Sequence, residues 1–131
     1  MAISDISSLV KTSRPALPQI YAYTTPEIRS HDGWTKIGYT EQSVEKRLRQ
    51  QAHTADVYVR LEWHGNATFE DTGETFRDTD FHGYLRKLDV RSKPGTEWFQ
   101  IGPAPAHQRF YEFRENHGVV QDAAPTIEYR L

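Results

Sequence analysis

Two tyrosines, a lysine and an arginine fall within one short stretch of the chain. Tyr21 and Tyr23 lie in an apolar-aromatic run, Lys36 lies in a second run, and Arg47 follows in a basic segment. The planar guanidinium of arginine matches two phosphate oxygens and keeps its proton at physiological pH. Arg47 therefore suits the binding of a phosphate, provided that the fold brings it to a shared site with the aromatic side chains. Taken alone, an arginine in such a segment is a solvated side chain on a helix surface.

The pattern around these residues predicts a hairpin that leads into a helix. Residues 20–25 and 34–40 alternate as strands do, and the turn-rich link between them is too short for a crossover, which predicts antiparallel pairing. A helix is predicted to start after Ser43, a good N-cap residue. We expect the aromatic rings and Arg47 to converge at the mouth of this hairpin. Gly38 has no Cβ, so another backbone or a phosphate can approach it closely.

The rest of the chain alternates strand-like and helix-like periods. We predict a third strand over residues 56–63, a loop from His64 to Gly73, and a short strand or extended segment from Glu97 to Ile101. Thr75 and Asp78 resemble a capping box before a second helix. Pro103 and Pro105 are predicted to open a last helix, roughly over residues 106–117. The predicted fold class is α/β (α+β), with a small, mainly antiparallel three-stranded sheet flanked by helices.

Length and composition limit the other possibilities. The chain has 131 residues, which suits one domain, and it has no cysteine, which excludes disulfides and Cys-ligated zinc. No apolar run approaches the roughly 20 residues that cross a bilayer. We predict a cytoplasmic protein with a flexible arm over residues 1–18, a domain over 19–118, and a tail or linker over 119–131. The net charge of −2 does not by itself indicate a nucleic-acid binder.

Several short motifs together resemble the GIY-YIG nucleases. Gln19-Ile20-Tyr21 stands for the first family motif and Lys36-Ile37-Gly38 for the second, and Arg47 occupies the position of the helical arginine. Phe81-His82 and Glu97-Trp98-Phe99 resemble the phage-type branch, which reads Lys-Ile-Gly and is often N-terminal in restriction or helicase-like proteins. Gln19 and Lys36 depart from the family pattern, since glycine and tyrosine are usual there.

The resemblance implies a metal-dependent DNA endonuclease domain that hydrolyses phosphodiester bonds with Mg²⁺ or Mn²⁺. In this reading Arg47 neutralises phosphate charge, and Tyr21 contacts the attacking water once Lys36 or the metal lowers its pKa. The implied metal ligand is Glu97, with Asp80 as the alternative and Asp78 as a further competitor. The implied catalytic residues are Tyr21, Lys36, Gly38, Arg47 and His82.

Two other functions remain open at this point. Lys36 in place of tyrosine favours a non-catalytic nucleic-acid-binding module with a degenerate site. The slightly acidic net charge favours a protein-interaction domain. DNA is the expected partner of both the endonuclease and the non-catalytic binding module, and no membrane is expected. We also expect the domain to be tethered to a helicase-like or restriction domain in the natural protein.

Overall fold

The computed structural model describes residues 17–120 of the chain. Four antiparallel strands form one sheet with the spatial order β3–β1–β2–β4. The strands are β1 (Gln19–Thr24), β2 (Thr35–Thr40), β3 (Arg60–Asn66) and β4 (Trp98–Phe99). Three α-helices complete the fold: α1 (Val44–Ala55), α2 (Asp78–Lys87) and α3 (Pro103–Glu115). The predicted α/β class is confirmed, with a fourth strand added to the sheet at β4.

The β1–β2 hairpin has the predicted pairing. Tyr21 lies opposite Gly38 and Tyr23 lies opposite Lys36. After β2 the chain enters α1, and the Ser43 side chain accepts a hydrogen bond from the Lys46 N–H at 3.1 Å, as an N-cap does. The hairpin and the start of the helix are therefore as the sequence predicted.

The sheet is covered on both faces, because successive residues of a strand point in opposite directions. Ile20, Ala22 and Ile37 belong to a large aromatic and aliphatic cluster with α2 and α3. Tyr21 and Tyr23 point the other way and pack with two apolar residues of α1 in a second, smaller cluster. We call these the core face and the α1 face. The hairpin side chains that could take part in chemistry, those of Tyr21, Tyr23 and Lys36, lie on the α1 face.

The third strand starts later than predicted, at Arg60 instead of residue 56. Asp56 adopts a left-handed conformation (φ 54°) and its N–H caps the end of α1, so residues 56 and 57 close the helix and cannot join the sheet. A β-bulge in the pairing of β1 with β3 then shifts the register between Ala22 and Tyr23. His64, predicted to begin a loop, pairs with Tyr21 inside the strand.

Two helix starts also differ from the prediction. The residue that precedes α2 is Arg77 instead of Thr75, and the Asp80 carboxylate accepts the Arg77 N–H at 2.9 Å. The last helix begins at Pro103, which is one of the two prolines predicted to open it and lies three residues before the predicted bound at residue 106. Proline is well suited to the first turn, where no N–H is required.

Of the predicted terminal segments, residues 1–16 and 121–131 lie outside the described part of the chain. Within residues 17–120, no helix is both long and apolar enough to cross a membrane. The cytoplasmic location stays a prediction.

Candidate active site

An arginine, a tyrosine and a glycine meet where α1 crosses β1 and β2. Arg47 lies one turn into α1, and its guanidinium acts on the Tyr21 phenol as a hydrogen-bonding partner. Gly38 leaves the room that the phenol occupies, since a Cβ on Gly38 would lie 2.4 Å from the Tyr21 oxygen. The group that approaches Gly38 is therefore the tyrosine hydroxyl, not a phosphate or another backbone.

Gln51 joins the polar side chains of the α1 face. Its Nε2 donates to the Tyr21 hydroxyl at 2.8 Å, and its Oε1 accepts from the Tyr23 hydroxyl at 2.8 Å and from Lys36 Nζ at 3.4 Å. Sequence reasoning missed this residue, although a signal exists: Gln51 is four residues after Arg47 and so lies on the same helix face. The amide fixes the positions of two tyrosines and one lysine at once.

Burial decides the protonation of these tyrosines. Tyr21 is only 1% exposed, and desolvation raises its pKa, although Arg47 and Gln51 act to lower it. Desolvation likewise raises the pKa of Tyr23. Both phenols are protonated at neutral pH. The role of Tyr21 toward an attacking water stays a prediction, since it would require a cation that lowers the pKa which burial raises.

Lys36 lies between the tyrosines and the acidic residues. Its Nζ sits 5.5 Å from the centre of the Tyr23 ring, and burial lowers its pKa while Glu97 raises it. The ammonium is thus placed to pair with either a carboxylate or a phosphate. Lys36, Arg47 and Gln51, together with Tyr23, line an open cleft of about 290 Å³ along α1.

Two carboxyl groups form the acidic side of the site. Glu97, just before β4, is near Asp78, the first residue of α2, and the two side chains hydrogen-bond each other. Burial raises the pKa of Glu97, Lys36 lowers it, and the charge and hydrogen bond of Asp78 raise it again. The second carboxylate is therefore Asp78 and not Asp80, because Asp80 is exposed and caps α2.

These two carboxylates suit a divalent cation bound in part by the substrate. Mg²⁺ commonly uses one or two carboxylates, with the remaining positions taken by waters and phosphate oxygens. A cation would also relieve the repulsion that raises the pKa of Glu97. Among residues 17–120 no group of three or more His, Asp or Glu side chains could enclose a metal. A cation at Glu97 and Asp78 would therefore need further oxygens from water or substrate, and the binding of Mg²⁺ or Mn²⁺ stays a prediction.

His82 belongs to the core face instead of the cleft. Its ring is 4% exposed, packs 4.8 Å from the Phe99 ring, and its Nε2–H donates to the Ile37 carbonyl at 2.7 Å. Burial lowers its pKa. The predicted catalytic histidine is thus a neutral group that supports the β2 backbone between Lys36 and Gly38. The structure brings together six of the residues named from the sequence and leaves His82 and Asp80 apart; together in the site are Tyr21, Lys36, Gly38, Arg47, Asp78 and Glu97.

Comparison with known families corrects the sequence-based assignment. The model of the T5orf172 domain family matches residues 19–116. This is a different family from the GIY-YIG nucleases, so the assignment to that family is wrong. T5orf172 is a phage-type domain that is nuclease-associated or DNA-binding. No curated protein and no solved structure gives a significant match to the chain.

Proposed function

Because the chain belongs to the T5orf172 domain family, we propose that it is a metal-dependent endonuclease domain that hydrolyses phosphodiester bonds in DNA. One observation carries the proposal: Arg47 and Lys36, which line an open cleft, both act electrostatically on Glu97, and Glu97 is hydrogen-bonded to a second carboxyl group, that of Asp78. Phosphodiester hydrolysis needs positive charge on the phosphate oxygens and a source of activated water. A binding surface for DNA would need the cations but would gain nothing from buried carboxylates.

In this proposal Arg47 and Lys36 contact the phosphate. Arg47 presents its planar fork and Lys36 a point charge, and both reach the cleft from different elements. Tyr21 and Gln51 are positioning residues, because the buried Tyr21 hydrogen-bonds Arg47 and the half-buried Gln51 hydrogen-bonds both Tyr21 and Lys36. The arrangement is set before substrate binds, so little reorganisation is required when charge develops on the phosphate.

Glu97 and Asp78 would hold the divalent cation. When bound, Mg²⁺ or Mn²⁺ supplies Lewis-acid stabilisation of the phosphate charge and makes a nearby water more acidic. Glu97 also attracts the Lys36 ammonium electrostatically, so the ammonium lies between the carboxylate and the cleft.

A plasmid-nicking assay tests the function. The full 131-residue chain should convert supercoiled DNA to the open-circular form with Mg²⁺ or Mn²⁺, and should not do so in EDTA. Glu97→Gln should abolish nicking. In parallel, Mg²⁺ should raise the Tm of the unaltered chain and should not raise that of Glu97→Gln, because a ligand that binds the folded state stabilises it. Nicking that persists in EDTA would contradict the metal-dependent proposal.

A second candidate, a DNA-binding module without cleavage, is favoured by Lys36. Its ammonium acts on Glu97 where a metal would act, so a metal-free site is electrostatically reasonable. In that case the chain binds DNA, Mg²⁺ leaves the Tm unchanged, and no nicking occurs with either metal. The two functions thus differ in a readout that does not depend on activity.

We further propose that the domain works while tethered to a helicase-like or restriction partner. The chain carries a net charge of −2 and only two cations line the cleft, so its phosphate contacts are few. Tethering can raise the effective concentration of a weak binder to the millimolar range. DNA binding by the isolated chain should be weak, with a shallow salt dependence. Tight binding at physiological salt would contradict the tethering.

A further inference from the structure

We infer that a second pocket, at the loop end of the β1–β2 hairpin, binds an unpaired nucleobase of the substrate. We call it the hairpin-end pocket. The inference deepens the proposed function and rests on it, since it names the substrate class: DNA in which at least one nucleotide near the cleavage position is not base-paired. The pocket has a volume of about 230 Å³. Its residues include Thr24, Thr25, Asp32, Trp34, Arg60 and Glu62.

The polar groups of the hairpin-end pocket are fixed by contacts with one another. The Thr24 hydroxyl donates to Glu62 Oε1 at 2.7 Å, and Arg60 Nε pairs with the same oxygen at 3.0 Å. The Thr25 hydroxyl is 2.6 Å from the Nδ1 atom of His31. Arg60 keeps further N–H donors, and Glu62 keeps a second oxygen. A nucleobase edge, which carries both amino donors and ring or carbonyl acceptors, matches such a mixed set.

The charges in the pocket select a base over a phosphate. Asp32 and Glu62 contribute two carboxylates against one guanidinium, so a phosphate inside the pocket would meet net repulsion. A phosphate is better placed outside, at Lys93, whose Nζ lies 5.0 Å from the centre of the Trp34 ring. The indole therefore has a cation over one face of its ring and also lines the pocket. A nucleotide fits this arrangement with its base at Trp34 and its phosphate at Lys93.

A continuous row of rings and cations joins the pocket to the active site. The charge of Lys93 acts on His31, the His31 ring is 4.4 Å from Trp98, and Trp98 meets the Tyr23 ring edge-on at 5.9 Å. Lys36 then lies over Tyr23, at the cleft. Three rings in succession, with a lysine at each end, thus connect the pocket to the cleft, and Tyr23 is the buried member of the row. Aromatic rings together with cations are typical of surfaces that follow a single nucleic-acid strand. Trp34 is two residues before Lys36, roughly 7 Å at the rise of a strand.

An unpaired base is required because paired bases hide their faces. In a duplex only the base edges are accessible in the grooves, whereas stacking on an aromatic ring needs the face of the base. The pocket therefore gives no advantage to intact duplex DNA. It favours an overhang, or a base turned out of a mismatched duplex, and both sources offer the same chemistry.

Binding measured without metal tests the inference apart from cleavage. Fluorescence anisotropy in EDTA would compare three labelled DNAs: a blunt duplex, the same duplex with a short single-stranded overhang, and the same duplex with one internal mismatch. The full chain should bind the overhang DNA about tenfold more tightly than the blunt DNA, as stacking of one base allows. Tighter binding of the mismatched DNA than of the blunt DNA would identify a base turned out of the helix as a second source.

Matched variants locate the effect. Trp34→Ala should remove the tenfold preference, and Tyr58→Ala, which truncates an aromatic residue that is 54% exposed beside β3, should keep it. Lys93→Gln should weaken overhang binding several-fold, whereas Lys87→Gln, at an exposed lysine of α2, should not. If Trp34→Ala lowers the Tm, the test uses the overhang binding of Trp34→Phe and Lys93→Gln instead, since both variants keep the packing of the hairpin.

Equal affinity for overhang and blunt DNA would overturn the inference, as would equal losses in Trp34→Ala and Tyr58→Ala. This failure is distinct from failure of the proposed function. A chain that nicks plasmid with Mg²⁺ but shows no preference for the overhang has the activity without the pocket's role. A chain that prefers the overhang through Trp34 but never nicks has the pocket's role without the activity.

Discussion

The two faces of the sheet bury different chemistry although they share the same strands. On the core face, aromatic and aliphatic side chains from α2 and α3 pack against Ile20, Ala22 and Ile37. On the α1 face the alternate residues are Tyr21 and Tyr23, and hydroxyl, amide and charged groups surround them. Both faces exclude solvent from β1, whose inner four residues are all buried.

The difference separates stability from function. Apolar burial on the core face supplies the hydrophobic free energy of folding, at roughly 25 cal/mol per Å². Polar burial on the α1 face is favourable only where each group finds a hydrogen-bond partner. In residues 17–120 no buried side-chain nitrogen or oxygen lacks one. We therefore expect substitutions on the core face to affect mainly stability, and substitutions on the α1 face to affect mainly activity.

The largest expected loss of stability is on the core face. Phe81 is fully buried and its ring contacts the rings of Phe110 and Phe113 at 5.4 and 5.3 Å. Phe81→Ala should lower the free energy of unfolding by about 3–5 kcal/mol, by loss of burial and creation of a cavity. Tyr21→Phe, which removes only a hydroxyl, should lower it by about 1 kcal/mol. Urea unfolding measures both, and equal losses would contradict the comparison.

Two glycines, one on each face of the sheet, allow the same substitution to be compared on both faces, with an intermediate loss of stability expected. A Cβ on Gly38 would lie 2.4 Å from the Tyr21 oxygen on the α1 face, and one on Gly65 would lie 2.7 Å from Phe110 on the core face. Each alanine variant should be destabilised by about 1–3 kcal/mol, because the facing ring must move. Gly38→Ala should also lose nicking activity, since it displaces Tyr21 from Arg47.

Gly65→Ala should keep nicking activity at temperatures where it remains folded. The comparison therefore requires both Tm values first, and then nicking rates at a temperature well below the lower one. Loss of activity in both variants at equal folded fraction would show that the faces are not separable.

His82 provides a pH test with a smaller effect. Burial lowers its pKa below the usual 6.5, so the unfolded chain takes up a proton at a higher pH than the folded chain does. Stability from neutral His82 is thus fully present above pH 6.5 and is lost as pH falls below it. The difference in Tm between pH 7.5 and pH 5.5 should be smaller for His82→Gln than for the unaltered chain.

The same variant bears on function, because glutamine can keep a donor near the Ile37 carbonyl. We expect His82→Gln to retain nicking activity at pH 7.5, as suits a group on the core face. A variant that keeps the full pH dependence of Tm would show that other groups cause it, and a loss of nicking with an unchanged Tm would return His82 to the catalytic set.

The sequence predicted correctly those elements that are determined by residues close together in the chain. The hairpin pairing follows from two alternating runs and a short link, and the start of α1 follows from Ser43. The start of β3 was missed because Asp56 uses a left-handed cap, which the sequence pattern does not reveal, and because a bulge shifts the register. At Asp56 and at the bulge, the conformation of the backbone overrides the alternation of side chains that a strand would show.

The candidate site was predictable only in part. Tyr21, Lys36 and Arg47 come from the stretch that the hairpin and α1 organise, so their meeting follows from local structure. Asp78 joins Glu97 across a long sequence separation, and its choice over Asp80 depends on where α2 begins, two residues later than the apparent capping box suggests. The family assignment failed for a related reason: tripeptide motifs were matched, but the match over residues 19–116 is to another family.

The most direct test of the account compares two arginines of the same helix. Arg47 faces Tyr21 and the cleft, whereas Arg49 is 75% exposed and pairs with Glu45 one turn earlier. Arg47→Ala and Arg49→Ala should both change the free energy of unfolding by less than about 1 kcal/mol, since neither removes buried apolar surface. The measurement is the Mg²⁺-dependent nicking rate of each variant at matched folded fraction. We predict a loss of at least about 100-fold for Arg47→Ala, as for removal of a main electrostatic group, and a rate near that of the unaltered chain for Arg49→Ala. Equal rates for the two variants would contradict the assignment of the α1 face as the active site.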